Sequence, residues 1–403
     1  MNKLSLMRRS CLSLFINFFL MNLIPNLPTL ASSEMKLRFL SDEEKTFKTN
    51  EKELPLVIEP VTEKSFLALT TLVKKHSNWF NQQLDKYGAI LFRGFEVEKA
   101  EEFQTVLELL GVKLELYYHF GSAARHRFTD KVFTASSAPP DMIISPHNEL
   151  NFVPIRPRVI GFFCQVQADM YGETPLINTE KLFYDLSPSL QQKFANYPQQ
   201  FVRYVPNHLL EIVFENLARD EIIKLLQEQE FNFSWHNDGS LYFECSYIPL
   251  FRHPNTDKLC FCLSIFDCLI NREWYKKIRQ RYPFLQGIYH SLLPAILYKR
   301  FEHYRPQITN IFDSNKPKGS INMNFLNPDG KPIKITESEA KELGKAEWKN
   351  AAIFKWEQGD ILVVDNQAVA HSRLNTKPHR KVLTAFGNMY NVRDMKPVTI
   401  NKN

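Results

Sequence analysis

Short apolar segments separated by turn-forming residues recur along most of this chain, and they constrain its fold more than any other feature. Several contain the β-branched and aromatic residues that favour strands. Asn-Asp-Gly at 237–239 and Pro-Asp-Gly at 328–330 are turn sequences between such segments. The pattern predicts a mainly antiparallel β core, with strands at 89–95, 158–166, 240–251, 259–266, 360–366 and 381–390.

Helical patterns occur between these strands, at 101–111, 179–197 and 218–229. The segment 271–306 is aromatic and carries eight Lys or Arg against two Glu, and we expect it to belong to a helical insert at about 267–325. The fold class predicted is therefore α+β, a mainly β core with helical decoration. With 403 residues, the chain is long enough to bury at least one large core.

Residues 1–34 differ from the rest, because a basic start is followed by an apolar stretch and then by small residues, as in a signal peptide. The apolar stretch is too short for a comfortable membrane span. An overlong start, with initiation at Met35, is the alternative. We expect residues 35–403 to form the functional domain.

Charge and cysteine content exclude several classes of protein. A net charge of +6 is modest for this length, and aromatic residues do not alternate with a basic array, so nucleic acid is not an expected partner. The six cysteines show no CxxC pair and lie mostly in apolar runs, which predicts buried thiols rather than disulfides or a zinc cluster.

The sequence Ser-Pro-His-Asn-Glu at 145–149 contains a candidate metal site. In extended backbone His147 and Glu149 would point to the same side. His371, shortly after the apolar run 360–366, is the best candidate for a third ligand. Two histidines and one carboxylate on one face of an iron are the ligands of non-haem Fe(II) oxygenases.

Other histidines compete with this assignment. His236-Asn237-Asp238 has the same spacing, but it runs into Gly239, and Asp238 is better explained by a turn. His253 precedes Pro254 and also indicates a turn. For His147 itself, a surface turn after Pro146 is the alternative.

Arg380 follows His371 by nine residues, at the start of the next predicted strand. An arginine beside a metal can bind a carboxylate through two hydrogen bonds, as a dicarboxylic cosubstrate would require. The alternative is a solvated basic cluster of Lys377, His379, Arg380 and Lys381.

Taken together, His147 to Glu149, Gly-Glu-Thr at 172–174, the run 359–366, His371 and Arg380 resemble the TauD/TfdA family of Fe(II)- and 2-oxoglutarate-dependent dioxygenases, and most closely its clavaminate synthase-like branch. The resemblance implies a double-stranded β-helix, or cupin-like jelly roll. It also implies that His147, Glu149 and His371 bind Fe(II), and that Arg380 and Thr174 bind the far carboxylate of 2-oxoglutarate.

The implied activity is the use of O2 to hydroxylate an unactivated C–H of a small amino-acid-derived or carrier-bound substrate, with release of succinate and CO2. Two alternatives remain: a jelly-roll protein that binds ligands without turnover, and a zinc hydrolase. Because Fe(II) and 2-oxoglutarate are maintained in the cytoplasm, we expect cytoplasmic residence, with export as the alternative. The basic segment 271–306 is either a solvated helix face or a docking surface for an acidic partner.

Overall fold

The computed structural model describes residues 34–116, 126–136, 140, 143–214, 216–263, 268–282, 320–376, 379–398 and 400. Its strands are β1 (Met35–Arg38), β2 (Leu56–Pro60), β3 (Ala89–Phe92), β4 (Phe133–Thr134), β5 (Ile144–His147), β6 (Ile155–Val166), β7 (Leu176–Asn178), β8 (Gln199–Val205), β9 (Asn232–Trp235), β10 (Leu241–Tyr247), β11 (Leu250–Arg252), β12 (Leu259–Phe261), β13 (Ser320–Leu326), β14 (Pro332–Ile333), β15 (Ala351–Ala352), β16 (Ile361–Asp365), β17 (Val369–Arg373) and β18 (Lys381–Asn391). Its α-helices are α1 (Phe66–Tyr87), α2 (Ala100–Leu109), α3 (Thr179–Tyr184), α4 (Pro188–Asn196), α5 (Leu210–Val213), α6 (Arg219–Glu228), α7 (Cys268–Ile278) and α8 (Glu337–Lys349).

Two sheets form the centre of the molecule, and successive strands alternate between them. The larger sheet has the order β1-β2-β3-β16-β6-β18-β4, and the smaller has the order β15-β7-β17-β5. Strands β4 to β7 and β15 to β18 pass back and forth between the sheets, and their pairings are antiparallel. This connectivity is that of a double-stranded β-helix, so the predicted fold class, a mainly β core with helical decoration, is confirmed.

The sequence of strand β16 is apolar without interruption from Ile361 to Val364 because both faces of the strand are buried. Leu362 and Val364 belong to the core between the two sheets, whereas Ile361 and Val363 belong to a second core against α1 and α2. Because both faces of the strand are covered, alternation with polar residues is lost. The buried free thiols of Cys164, Cys245, Cys260 and Cys262 agree with the prediction of core cysteines.

Residues 179–350 interrupt the alternation of strands between β7 and β15. They contain α3 to α8 and a separate five-stranded sheet of order β14-β13-β8-β10-β9. The insert predicted at about 267–325 lies inside this segment, and its residues 267 and 283–319 are outside the described part of the chain. Helices α7 and α8 pack together, and Trp274 of α7 joins a core on the outer side of the smaller sheet.

Several helices differ from the sequence prediction. The helix expected over 179–197 is two helices, because Pro188 occupies the first turn of α4 and has no N–H to continue α3. Helix α1 was not predicted, although Ser65 caps its start and Gly88 ends it with a φ of 80°. No helix among the described residues is long and apolar enough to cross a membrane.

Candidate metal and cosubstrate site

His147, Glu149 and His371 lie together in the structure. One potential ligand atom from each falls within 4.8 Å of the others. Glu149 Oε2 is 3.8 Å from His147 Nε2 and 3.7 Å from His371 Nε2. Two ligand atoms that are each about 2.1 Å from one ion can be at most about 4.2 Å apart, so these separations suit a shared metal.

The pairing of β5 with β17 brings the two histidines together. His147 and His371 are directly opposite each other in this antiparallel pair, so their side chains leave the same face of the sheet. Their ring centroids are 4.4 Å apart, and Phe162 of β6 contacts the His371 ring from within the core. His147 Nδ1 is 2.8 Å from the Ser145 carbonyl oxygen. A hydrogen bond donated there leaves Nε2 of His147 with the lone pair that a metal requires.

Glu149 reaches the histidines from a turn rather than from extended backbone, which differs from the geometry expected from the sequence. Strand β5 ends at His147, and Leu150 has a φ of 54°. The buried side chain of Asn366 fixes this turn: its Oδ1 accepts from the Glu149 N–H at 2.6 Å, and its Nδ2 donates to the Glu149 carbonyl at 2.9 Å and to the Pro157 carbonyl at 2.8 Å. Sequence reasoning assigned no role to Asn366.

Arg380 and Thr174 lie side by side, as the family resemblance implies. Arg380 Nη2 donates to Thr174 Oγ1 at 3.1 Å, and its Nε donates to the Gly172 carbonyl at 2.8 Å. Trp356 Nε1 also donates to Thr174 Oγ1 at 3.1 Å, so the hydroxyl hydrogen of Thr174 can be given to another acceptor. Burial, together with the nearby Arg373 guanidinium, lowers the pKa of Arg380 to about 10.

Arg380 pairs with no carboxylate in the described part of the chain, which fits a cation that receives a carboxylate from a ligand. Gly172 leaves the space that the Arg380 side chain occupies. A Cβ at position 172 would lie 2.8 Å from Arg380 Cδ and 2.7 Å from Thr376 Oγ1, and the φ of 78° also disfavours other residues. Lys381 lies on the other side of the strand, with its Nζ 4.4 Å from the centroid of the Phe128 ring.

The competing pair His236 and Asp238 serves the turn between β9 and β10. Asp238 Oδ1 accepts from the Ser240 N–H at 2.9 Å, and the Gly239 N–H donates to the His236 carbonyl at 3.0 Å. These contacts agree with the prediction of a turn.

A second group of possible ligands consists of Asp85, His253 and Asp365. Arg158 already pairs with both carboxylates, and His253 Nε2 is 2.9 Å from Asp365 Oδ2. The backbone N–H groups of Asn255 and Thr256 donate to His253 Nδ1 at 3.3 Å each. The turn predicted at His253 is present, and its ring is also a buried member of this ion-pair network. We assign it a structural role.

Arg281, which lies in the predicted insert, forms an ion pair with Glu173. Arg281 Nη1 is 3.1 Å from Glu173 Oε2, and the side chains are 8% and 1% exposed. The guanidinium also lies over the rings of Phe47 and Tyr171. Since Glu173 stands between Gly172 and Thr174, this ion pair connects the insert to the residues around Arg380.

A sequence model described as "Taurine catabolism dioxygenase TauD, TfdA family" matches residues 52–386. The chain belongs to this family. It is 26% identical over 352 residues to a clavaminate synthase-like protein of Arabidopsis thaliana, covering 81% of this chain and 89% of the relative. It is 24% identical over 311 residues to the dapdiamide synthesis protein DdaC of Enterobacter agglomerans, covering 75% and 83% of the two chains.

Solved structures with a similar course of the chain include PvcB, described as an Fe, alpha-ketoglutarate dependent oxygenase from an isonitrile synthetic pathway. The TM-score is 0.48 at 11% identity, over 90% of this chain and 94% of PvcB. AAD-2 in complex with Mn(II) and N-oxalylglycine has a TM-score of 0.44, at 11% identity over 89% and 99% of the two chains. The family match confirms the predicted family and the predicted class of enzyme, a 2-oxoglutarate-dependent dioxygenase.

Proposed function

We propose that His147, Glu149 and His371 bind Fe(II), and that Arg380 with Thr174 binds the far carboxylate of 2-oxoglutarate. The observation that carries this proposal is the meeting of two imidazole nitrogens and one carboxylate oxygen within 4.8 Å inside the jelly roll. Two nitrogen ligands and one oxygen ligand leave positions on an iron for a chelating cosubstrate and O2.

Each residue has a defined task in this proposal. The Ser145 carbonyl holds the tautomer of His147, and Asn366 holds the turn that presents Glu149. Arg380 supplies the positive charge for the cosubstrate, and Thr174 supplies a hydrogen-bond donor. Bound iron and 2-oxoglutarate supply the oxidation, in which 2-oxoglutarate becomes succinate and CO2 as oxygen enters a C–H bond of the substrate.

We further propose that the substrate is small and derived from an amino acid, either free or attached to a carrier. The naming of one relative as a dapdiamide synthesis protein supports a small-molecule substrate in a biosynthetic reaction. Exposed Lys277 and Arg279 at the end of α7 support an acidic carrier as the partner of the insert. A succinate-release screen over free amino acids and carrier-bound aminoacyl groups tests this choice.

Anaerobic titration with Fe(II) and then 2-oxoglutarate tests the site. Wild-type protein should develop the weak visible charge-transfer band of chelated 2-oxoglutarate, and Glu149→Ala should lose both tight iron binding and substrate-coupled succinate formation. His236→Ala is a suitable control, because His236 belongs to the β9–β10 turn. Unchanged turnover in Glu149→Ala would refute the assignment, and a metal site that binds zinc without the band would favour a hydrolase.

We also propose cytoplasmic residence, since an exported enzyme would lack a supply of Fe(II) and 2-oxoglutarate. Residues 1–33 lie outside the described residues. Mass spectrometry of the N-terminus of the protein purified from its own cells tests this. A mature chain that begins near Ser32 would contradict it.

A further inference from the structure

Arg156, the second residue of β6, is a buried cation without a counter-charge. It is 0% exposed. Its Nε, Nη1 and Nη2 atoms are buried, and none has a hydrogen-bond partner. No carboxylate in the described part of the chain pairs with it. A guanidinium does not lose its proton in proteins, and an unpaired buried charge costs several kcal/mol, so this position requires compensation.

Two tyrosines lie near Arg156. Arg156 lies directly opposite Tyr390 in the pairing of β6 with β18, so both side chains leave the same face. The Tyr247 ring of β10 lies under the guanidinium, with its centroid 4.3 Å from Cζ. A cation over an aromatic face is stabilised by the ring, but this gain is smaller than the cost of burying the charge.

The ionisable groups that act most strongly on Arg156 supply no negative charge. They are Tyr247, Tyr390, Cys245 and Cys262. The buried carboxylate of Asp365 acts on Tyr390 and Cys262, but it is already paired with Arg158 and His253. Burial raises the pKa of both cysteine thiols to about 12. Burial also raises the pKa of each tyrosine well above its ordinary value. All four groups are therefore neutral at physiological pH.

The two tyrosine hydroxyls are also poorly satisfied. The hydroxyl oxygens of Tyr247 and Tyr390 are buried and make no hydrogen bond of standard geometry, although Tyr247 interacts with the Arg156 guanidinium and Tyr390 with the Cys262 thiol. Buried hydroxyls are almost always hydrogen-bonded, and an unmade hydrogen bond leaves the cost of desolvation uncompensated. A guanidinium and two hydroxyls provide N–H and O–H donors around a single positive charge.

We propose that Arg156, Tyr247 and Tyr390 bind a small monovalent anion of the size and charge of chloride. Water could accept some of these hydrogen bonds, but it would leave the charge of Arg156 uncompensated in a low-dielectric interior. The anion compensates the charge and accepts from the hydroxyls at the same time. The site lies next to Pro157, whose carbonyl accepts from Asn366, and it therefore stabilises the start of β6 behind the Glu149 turn.

Thermal unfolding of the full-length protein in sodium chloride or bromide, against sodium gluconate at equal ionic strength, tests the proposal. A protein that binds the small anion in its folded state gains stability from it, and the comparison at equal ionic strength separates this gain from general screening. The unfolding temperature should rise with the logarithm of the halide concentration once that concentration exceeds the dissociation constant, and it should not rise with gluconate. Crystals grown in bromide should show an anomalous peak within hydrogen-bond distance of Arg156.

Arg156→Met should lose the halide response, because the variant carries no charge to compensate. Arg203→Met is the matched control: Arg203 of β8 is also an arginine without an ion pair among the described residues, and its loss should leave the response intact. If Arg156→Met does not fold, Tyr390→Phe removes one donor and should weaken the apparent halide affinity several-fold. A halide-independent wild type, bromide only at the surface, or a response retained in Arg156→Met would overturn the proposal.

Discussion

At the scale of single residues, the position of Glu149 depends on a neighbour that contacts no metal. Asn366→Ala removes three hydrogen bonds that hold the Glu149 turn and Pro157. Loss of such an outer contact typically weakens metal binding by about 10- to 100-fold, so we expect that change in iron affinity. Asn350→Ala, a buried asparagine at the end of α8, should lower stability and leave iron affinity unchanged. Equal iron affinities in the two variants would contradict the role of Asn366.

Arg380 should act on the cosubstrate alone. Arg380→Leu removes the cation of the proposed carboxylate clamp, and truncation of such a charge-assisted pair costs about 2–5 kcal/mol. We expect a corresponding rise in the KM for 2-oxoglutarate, measured by succinate release. Lys381→Leu changes a neighbouring charge on the other side of the strand and should have little effect. A rise confined to the KM of the primary substrate would make Arg380 a substrate residue.

The proximity of the three candidate ligands was easier to predict from the sequence than the residues that hold them in place. His147, Glu149 and His371 carry the residue types that a metal requires, so their spacing and order pointed to a common site, and the structure brings them together. The role of Asn366 was not predicted, because its side chain binds the backbone of Glu149, 217 residues away in the sequence. Nothing in the local sequence Val-Asp-Asn indicates that contact. The turn at Glu149 was not predicted, because extended backbone and a turn can both bring the side chains of His147 and Glu149 together.

At the scale of elements, the contact between α7 and α8 contains an acidic group in an unusual state. Glu347 of α8 is 4% exposed, and its Oε2 accepts from Trp274 Nε1 at 3.0 Å. Burial raises its pKa to about 8, although the bond from Trp274 opposes that rise. Helix α8 was not predicted from the sequence, even though Thr336 and Glu339 form a capping box at its start. Its buried glutamate is one reason, since charged residues usually mark an exposed face.

Glu347 should make stability fall as the pH rises. The folded protein keeps the proton up to about pH 8, whereas the unfolded chain releases it near 4.5, so unfolding is favoured increasingly between these values. The free energy of unfolding should decrease by up to about 1.4 kcal/mol per pH unit in that window. Glu347→Gln keeps an acceptor for Trp274 and has no proton to lose. Denaturant unfolding should show a gain over wild type that grows with pH, and parallel pH profiles would argue against this assignment.

At the scale of the whole molecule, the jelly roll was predictable and its large insertion was only partly so. Turn sequences and apolar runs indicated β6, β16 and β18, because their burial follows directly from composition. The predicted insert at about 267–325 is part of a longer interruption, 179–350, which carries its own sheet. Its strands pair over long separations, such as Tyr204 with Ser320, and local patterns do not encode such pairings.

Most of the described basic residues in the segment 271–306 are already in ion pairs, so few of them are available to bind a partner. Three basic residues of the described part of this segment form ion pairs: Arg281 with buried Glu173, Arg272 with Glu337, and Lys276 with Glu273. Lys277 and Arg279 are exposed and have no ion pair among the described residues.

Lys277 and Arg279 are therefore the residues to change in a test of carrier docking. If an acidic carrier docks there, Lys277→Gln with Arg279→Gln should lower kcat/KM for the carrier-bound substrate. The double change should also flatten the dependence of kcat/KM on salt, because screening acts over about 8 Å at physiological ionic strength. The KM for 2-oxoglutarate should not change, since Arg281 remains in place. Lys64→Gln with Lys74→Gln removes the same charge from exposed positions near and on α1, and it should preserve the wild-type salt slope. Identical slopes in both double variants would instead mean that the basic segment is a solvated face.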